Sequence, residues 1–248
     1  MDDLATAFEQ LRPQLLRVAY GTLGSLAEAE DVVQDAWLRL ERAAPEEIED
    51  LRAWLTTVVA RLSLDALKAA RRKREEYVGQ WLPEPIVERL GEGDPADRVT
   101  LDESVATALL VVLERLSPAE RTAYLLHDMF GLAFVEACGM GDLDRLMEVL
   151  DPEVVFRSDG GGHVPASRFP LEGAERVARA LLALERTRRR DGREMRGAPG
   201  AVNGQLGFVY FEGRHLNVLS FTIDAGRIVA LDVVRNPEKL RHVRLPDR

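Results

Sequence analysis

Residues 51–85 of the chain read LRAWLTTVVARLSLDALKAARRKREEYVGQWLPEP. In the first half, apolar side chains recur every three or four residues, which predicts a helix with one buried stripe. In the second half, five of the seven residues from Lys68 to Arg74 are cationic. Such a helix suits a phosphate backbone, and Trp54 and Tyr77 add aromatic surface on which bases can stack. A solvated, charged helix end is the alternative interpretation.

The composition limits the classes of function. The chain has 248 residues, 46% of them hydrophobic, and a net charge of −9, so any binding to nucleic acid must come from a local patch. The one cysteine, Cys138, excludes a disulfide framework and a cysteine-based zinc site. No apolar run reaches the roughly 18 residues of a membrane span, and the N-terminus lacks a signal-peptide pattern. We expect a cytoplasmic protein with no metal, no cofactor and no membrane partner.

The second and third predicted helices carry opposite charges. Ser25 is the expected N-cap of the second helix, with Glu28 at the capping-box position. Residues 28–50 contain nine acids and two bases, whereas residues 61–74 contain six bases and one acid. A surface selected for solubility alone mixes both signs. This segregation predicts two partners, a cationic one for the second helix and a polyanion for the third.

The segments AEAEDVVQDAWLRL (27–40) and LRAWLTTVVARLSLDALKAARRKREE (51–76) resemble region 2 of bacterial sigma factors of the extracytoplasmic-function (ECF) type. In that family the first segment docks on the β′ clamp helices of RNA polymerase, and the second holds and opens the −10 promoter element. The resemblance implies polymerase contacts at Asp31, Gln34, Asp35, Trp37 and Leu38. It places Trp54, Thr57, Arg61, Asp65 and Lys68 on or near the promoter side, and the basic run adds Arg71, Arg72, Lys73 and Arg74.

Promoter opening fits the absence of catalytic motifs. It requires no nucleophile and no metal, but it needs a basic platform for phosphates and a pocket for an unstacked base. We therefore expect a transcription initiation factor whose partners are core RNA polymerase and promoter DNA. We also expect it to bind duplex DNA weakly without the polymerase, because the chain as a whole is acidic.

The linker and the module after it show two further resemblances. Residues 77–95 form a linker, since Gly79, Pro83 and Pro85 interrupt any helix. Its WLPEP motif resembles a signature of the ECF subgroup with a SnoaL-like, NTF2-like C-terminal extension. Residues 96–134 end in ERLSPAERTAYLLHDMFGLAF, which resembles the opening of sigma region 4. The helix-turn-helix that reads the −35 element in the family does not follow, so we expect a truncated region 4 without −35 recognition.

Residues 135–248 predict an α+β domain. A helix over residues 135–150 is followed by the strand EVVFRSD, a helix over residues 171–188, and four strands separated by Asn203-Gly204, Glu212-Gly213 and Ala225-Gly226. Helices followed by a meander indicate a curved antiparallel sheet, which fits the NTF2-like cone. The predicted fold class is thus multi-domain: an all-α sigma region 2 (1–76), a truncated helical remnant of region 4, and an α+β SnoaL-like cone.

Two motifs of this domain suggest regulation. DGGGH (159–163) and NPEKL (236–240) resemble the DGGGK and NPDKL motifs of the same subgroup, in which the extension modulates sigma activity through contact with the sigma domains. The glycines also suit a simple tight turn. The resemblance implies one intramolecular interface formed by Trp81, Leu82, Pro83, Glu84, Pro85, Asp159, Gly160, Gly161, Gly162, His163, Asn236, Pro237, Glu238, Lys239 and Leu240.

An enzyme is the remaining class. NTF2-like cones also host isomerase-type enzymes, and Asp232 could face such a pocket as a general base. A structural Asp232 that binds Arg235 or backbone amides is favoured, because no histidine is coupled to it in the sequence; we find no catalytic set. Three hypotheses remain: a sigma factor with a fused regulatory domain, a polymerase-binding decoy that cannot select promoters, and an NTF2-like ligand-binding or isomerase-type enzyme. The complete region 2 pattern favours the first two.

Overall fold

The computed structural model describes residues 2–43, 48–88, 133–203 and 205–243. The chain divides into a helical unit (Met1–Tyr77 and Trp81–Glu84) and a sheet-containing unit (Val78–Gln80 and Pro85–Arg248). A helical N-terminal part followed by an α+β part is the predicted fold class, and it is confirmed. The predicted region 4 remnant at 96–134 lies outside the described residues, apart from Ala133 and Phe134.

The helical unit contains α1 (Asp2–Leu23), α2 (Leu26–Arg42) and α3 (Leu51–Glu75). The predicted cap of α2 is confirmed, because the Ser25 side chain accepts a hydrogen bond from the Glu28 amide. At the start of α3, Asp50 caps in the same way and accepts from the Ala53 amide at 3.0 Å. The turn between α1 and α2 passes through Gly24, whose φ of +66° favours glycine.

The core of the helical unit lies between the three helices. On α3, Leu55 and Val59 of the predicted stripe are fully buried, and the other members of that stripe are partly buried against the same core. The rings of Phe8 and Trp37 pack with their centroids 4.9 Å apart. Burial of this stripe fixes which side of α3 faces solvent.

In the described residues of the sheet unit, seven strands form a sheet with the order β1-β4-β5-β6-β7-β2-β3. Its helices are residues 133–140, α4 (Leu143–Val149) and α5 (Ala174–Arg190). Its strands are β1 (Val87–Glu88), β2 (Leu150–Asp159), β3 (Leu171–Glu172), β4 (Met195–Val202), β5 (Gln205–Glu212), β6 (His215–Asp224) and β7 (Arg227–Val234).

Three local predictions for this unit were wrong. The single helix over residues 135–150 is interrupted at Gly141, where φ is +73°, and Asp142 caps α4 as a new helix. The helix predicted from residue 171 begins at Ala174, because Leu171 and Glu172 pair with β2. The sheet is not wholly antiparallel, since β2 and β7 pair in parallel.

The core of the sheet unit lies on the face of the sheet that carries the helices. Phe221, Ile228 and Leu231 are buried there against Leu146 and Val177. The ring of Phe134 meets that of Phe221 edge to face, with centroids 5.5 Å apart. This face is therefore filled by apolar side chains over the residues that the structure describes.

Candidate functional site

The polymerase contacts predicted on α2 share one face of that helix. Asp31, Gln34, Asp35 and Leu38 are all exposed, and their spacing places them on adjacent turns. Leu38 is 39% exposed, which leaves an apolar side chain among two carboxylates. Trp37 differs from these four, since its ring packs on Phe8 in the core. The face combines acidic groups with one open apolar contact.

The promoter contacts predicted on α3 form a second face. Thr57, Arg61, Lys68 and Arg71 are exposed along about four helical turns. Leu64 lies in the same row and is 55% exposed. Arg72 and Lys73 belong to the same helix, while Trp54 is half-buried against the core.

One acid reduces the positive charge of this face. Asp65 lies 2.9 Å from the ammonium group of Lys68, one turn away, and both side chains are well exposed. The hydrogen bond and charge of Lys68 lower the pKa of the Asp65 carboxyl. Surface pairs of this kind contribute little to stability, but this one holds a lysine that would otherwise be open to a phosphate.

Arg74 is placed differently from the other cations of the run. Its guanidinium carbon lies 3.6 Å from the ring centroid of Trp81, and its Nη2 donates to the backbone carbonyl of Leu23. It is half-buried, and desolvation lowers the pKa of its guanidinium. Its assignment to promoter DNA stays a prediction; in the structure it holds a linker residue against the end of α1.

The linker residues Trp81–Glu84 dock on the corner between α1 and α2. The Glu84 carboxylate accepts from the Ser25 hydroxyl at 2.8 Å and from the Leu26 amide at 3.1 Å, at the N-terminus of α2. The Glu84 amide donates to the Gly24 carbonyl at 2.8 Å, and the Tyr20 hydroxyl donates to the Glu84 carbonyl. Burial, followed by the charge of Glu84, raises the pKa of Tyr20 to about 12.

Close packing also holds residues Trp81–Glu84 against the corner between α1 and α2. A Cβ atom added to Gly24 would lie 2.9 Å from the ring of Trp81. Leu82 is only 4% exposed. Glycine at position 24 is therefore needed both for its backbone angle and for the approach of Trp81. Sequence reasoning identified the WLPEP motif but missed its partners: Tyr20 is 64 positions from Glu84, and no pattern in the sequence indicates that Trp81 turns back onto Arg74.

The DGGGH and NPEKL motifs meet in the sheet unit. Asp159 ends β2 and Lys239 follows β7, and the two strands are parallel neighbours, so their ends lie together. The carboxylate of Asp159, fully buried, lies 2.7 Å from the Lys239 ammonium. The Arg235 amide donates to the Asp159 carbonyl at 2.7 Å, and the Gly161 amide donates to its carboxylate at 3.0 Å.

The tight turn at Gly161 of the DGGGH motif is also where this motif packs against Asn236 of the NPEKL motif. Gly161 has φ of +60°, and a Cβ atom there would lie 2.2 Å from the Asn236 side-chain nitrogen. The imidazole of His163 is 3.8 Å from the Glu238 carboxylate, and both side chains are about half exposed. Pro237 is exposed and Leu240 is buried. His163 thus lies at the surface of this corner, whereas Asp159 forms its centre.

Other linker residues belong to the sheet unit. The Gln80 side chain donates to the Ser167 carbonyl at 3.0 Å, and a ring nitrogen of His242 lies 2.8 Å from the Pro85 carbonyl. Ile86 exchanges hydrogen bonds with Asn203, and Val87 and Glu88 pair with β4 as β1. The predicted linker of residues 77–95 therefore contains a strand in its described part.

The residues considered for catalysis have structural partners. Asp232 binds the Arg157 guanidinium through both oxygens at 2.6 Å, on the sheet face opposite Leu231 and Val233. The predicted partner Arg235 was wrong: it binds Asn217, Glu212 and the Pro165 carbonyl. Within residues 2–43, 48–88, 133–203 and 205–243, no three metal-ligating side chains cluster, and no helix is long and apolar enough to cross a membrane.

A second basic segment, RTRRRDGR (186–193), lies at the C-terminal end of α5, and several of its arginines pair with acids of the sheet unit. Arg188 and Arg189 both bind Glu185 at 2.6 Å, and Arg193 binds Asp191 and Glu212. The hydrogen bond from Arg188 is the largest cause that lowers the pKa of Glu185. This pairing agrees with a cationic helix end rather than a second DNA surface.

Comparison with known proteins identifies the family. The Sigma-70 region 2 family matches residues 7–73. The ECF RNA polymerase sigma factor SigJ of Mycobacterium tuberculosis is 34% identical over 299 aligned positions, covering 97% of this chain and 94% of the relative. The probable ECF sigma factor SigI of the same species is also 34% identical, with 98% and 97% coverage.

The crystal structure of M. tuberculosis SigJ matches the fold as well. Its TM-score is 0.69 at 29% sequence identity, and the match covers 98% of this chain and 100% of that one. The agreement spans both the helical and the sheet-containing unit, as the NTF2-like extension of the predicted fold class requires. The chain therefore belongs to the ECF sigma factors of RNA polymerase.

Proposed function

We propose that this sigma factor binds core RNA polymerase through the exposed face of α2 and holds the −10 promoter element on the exposed face of α3. The observation that carries the proposal is the opposite charge of two neighbouring faces of one small domain. The α2 face presents Asp31, Gln34, Asp35 and Leu38, and the α3 face presents Thr57, Arg61, Lys68 and Arg71. Two partners of opposite charge can be bound at once.

Promoter opening on α3 is supported by chemistry as well as charge. The exposed cations would neutralise phosphates of a strand that runs along the helix. Leu64, exposed among these cations, and the half-buried ring of Trp54 offer apolar surface to an unstacked base. No reaction is involved, so a rigid platform is sufficient.

The affinity for core RNA polymerase tests the α2 assignment. Asp35→Arg reverses a charge on the proposed face, and the matched control Glu9→Arg makes the same change at an exposed position of α1. We expect Asp35→Arg to weaken binding by about tenfold or more and the control to bind normally. Equal binding by both variants would exclude this face. Trp37→Ala is unsuitable, since it would open the core against Phe8.

We propose that the sheet unit modulates sigma activity. The support is that Asp159 and Lys239 hold the DGGGH and NPEKL motifs together as one surface feature, while Gln80 and Pro85 of the linker contact the same unit. In this proposal an intramolecular contact that includes the WLPEP motif transmits the effect. An enzymatic role has no comparable support, because Asp232 is held by Arg157 and the helix-bearing face is filled.

A polymerase-binding decoy is a second candidate, favoured by one observation. The alignment with SigJ spans 299 positions, 51 more than the 248 residues of this chain, so the relative has at least that many positions without a counterpart here. Together with the missing helix-turn-helix pattern, this supports a chain without a −35 reader. Core binding without transcripts from any −10 element would favour the decoy, and discrete transcripts would exclude it.

A further inference from the structure

We infer that docking of Trp81–Glu84 withdraws Arg74 from promoter DNA, so that the linker sets how many cations α3 offers to phosphates. This inference rests on the proposed role of α3. It differs from a contact of the WLPEP motif with the sheet unit, because every interaction that carries it lies within the helical unit.

Arg74 is held from two directions. The indole of Trp81 covers one face of its guanidinium at 3.6 Å, and the Leu23 carbonyl at the end of α1 accepts one of its N–H groups. The group is half-buried, and burial lowers its pKa. A phosphate that approached Arg74 would have to displace these partners.

The neighbouring cations are not held in this way. Arg61, Lys68 and Arg71 are exposed, and within the described part of the chain the ion pair among these three is that of Lys68 with the exposed Asp65. Arg74 follows Arg71 by three residues, about 4.5 Å along the helix, which is within reach of the same strand for a long side chain. The difference between Arg71 and Arg74 therefore lies in the contacts of Arg74 with the Leu23 carbonyl and with Trp81, of which the Trp81 contact comes from the linker.

The dock does not depend on Arg74. Glu84 is fixed by Ser25 and Leu26 at the N-terminus of α2, and its backbone is fixed by Gly24 and Tyr20. These contacts place Trp81 where it meets the guanidinium. Arg74 is thus the group that responds when the linker moves, and Trp81 and Glu84 are positioning residues.

Counterion release gives the inference a number. Each phosphate that a cation neutralises steepens the dependence of log affinity on log salt by about 0.9 for duplex DNA and about 0.7 for a single strand. One released arginine therefore adds a loss of affinity of about 2.6-fold on a single strand and about 3.5-fold on a duplex between about 50 and about 200 mM salt. This effect is separable from a general weakening of binding.

The test measures the affinity of holoenzyme, formed from core RNA polymerase and the full chain, for DNA that carries a −10 bubble. The slope is that of log affinity against log salt concentration. We expect Trp81→Ala to steepen the slope by about 0.7–0.9. Glu84→Ala should have the same effect, because it releases the linker while leaving the Trp81 indole and the Arg74 guanidinium unchanged. Arg74→Ala should not change the slope alone but should cancel the steepening in the Trp81→Ala background. Trp81→Phe, which keeps an aromatic face, should behave as the unaltered chain does.

Two results would overturn the inference. A lower slope for Arg74→Ala in the unaltered chain would mean that Arg74 already binds a phosphate. Unchanged slopes for both Trp81→Ala and Glu84→Ala would mean that the linker does not control it. Arg61→Ala and Arg71→Ala separate this from the proposed function, because each should lower the slope by about one phosphate whatever Arg74 does. If neither does, the α3 assignment itself fails.

Discussion

Asp159 and Lys239 show how a single pair of residues can hold two motifs that are 80 positions apart in the chain. The Asp159 side chain is fully buried and that of Lys239 is 9% exposed. The free energy needed to desolvate both charges offsets much of their electrostatic attraction. The pair therefore fixes how the two motifs are arranged more than it stabilises the fold. The sequence resemblance identified both motifs, but only the parallel pairing of β2 with β7 brings their ends together.

Breaking this pair should be costly because it leaves one buried charge without its partner. We expect Lys239→Met or Asp159→Asn to lower the free energy of unfolding of the sheet unit by about 3–5 kcal/mol. The double variant should lose less than the sum of the two, since no lone charge remains. Denaturant unfolding of the full chain measures this, with exposed Glu238→Gln as a control. Strict additivity would show that the two groups do not interact.

Cys138 provides a reporter of the same unit. It is the one cysteine of the chain, and burial raises the pKa of its thiol to about 12. Because the thiolate is the reactive form, we expect alkylation at neutral pH to be about a thousandfold slower in the folded chain than in urea. Iodoacetamide labelling followed by mass spectrometry measures the rate. Similar rates in both conditions would mean that the thiol is open to solvent.

At the level of elements, the sequence determined local features well. The periodicity of residues 51–66 predicted the buried side of α3, and the Ser25 pattern predicted the start of α2, because both depend on neighbours within one or two turns. The break at Gly141 was missed, since apolar residues continue through it with helical spacing. Contacts between distant residues were not accessible: nothing in the sequence relates Glu84 to Ser25, which are 59 positions apart.

The C-terminal end of α5 depends on charge pairs that titrate. The Arg188 hydrogen bond, together with Arg189, holds the pKa of Glu185 below its ordinary value of 4.5. The pairs therefore stabilise the folded unit above pH 4.5, and that contribution is lost as the pH falls through the lowered pKa. We expect the protection factors of the amides at the end of α5, which are corrected for intrinsic exchange at each pH, to fall in this range. Glu185→Gln should remove the pH dependence; an unchanged profile would assign it to other groups.

At the level of the whole molecule, promoter choice should depend on one element. If the chain lacks a −35 reader, as proposed, only the proposed α3 face is left to select DNA. We expect transcript yields from a promoter library to vary with the −10 sequence and to be unaffected when the −35 sequence is randomised. Sequencing of run-off products from both libraries measures this. Dependence on the −35 sequence would show that another part of the holoenzyme or chain reads it.

The domain organisation of the whole chain was predicted only in part. Composition and periodicity indicated a helical part and an α+β part, and the resemblance supplied their family. The linker was expected to be non-helical, and the strand that Val87 and Glu88 form beside β4 was not predicted. A short edge strand has almost no pattern in the sequence, because it forms by pairing with an existing sheet edge rather than through its own β propensity.

Run-off transcription by core RNA polymerase supplied with this chain tests the central claim most directly. Templates with varied −10 elements should give discrete transcripts with the unaltered chain and with Glu9→Arg, and none with Asp35→Arg. That result would connect the α2 face to polymerase binding and the −10 element to transcript formation in one assay. Transcription by Asp35→Arg at the level of the unaltered chain, or no transcript from any template despite core binding, would contradict the account.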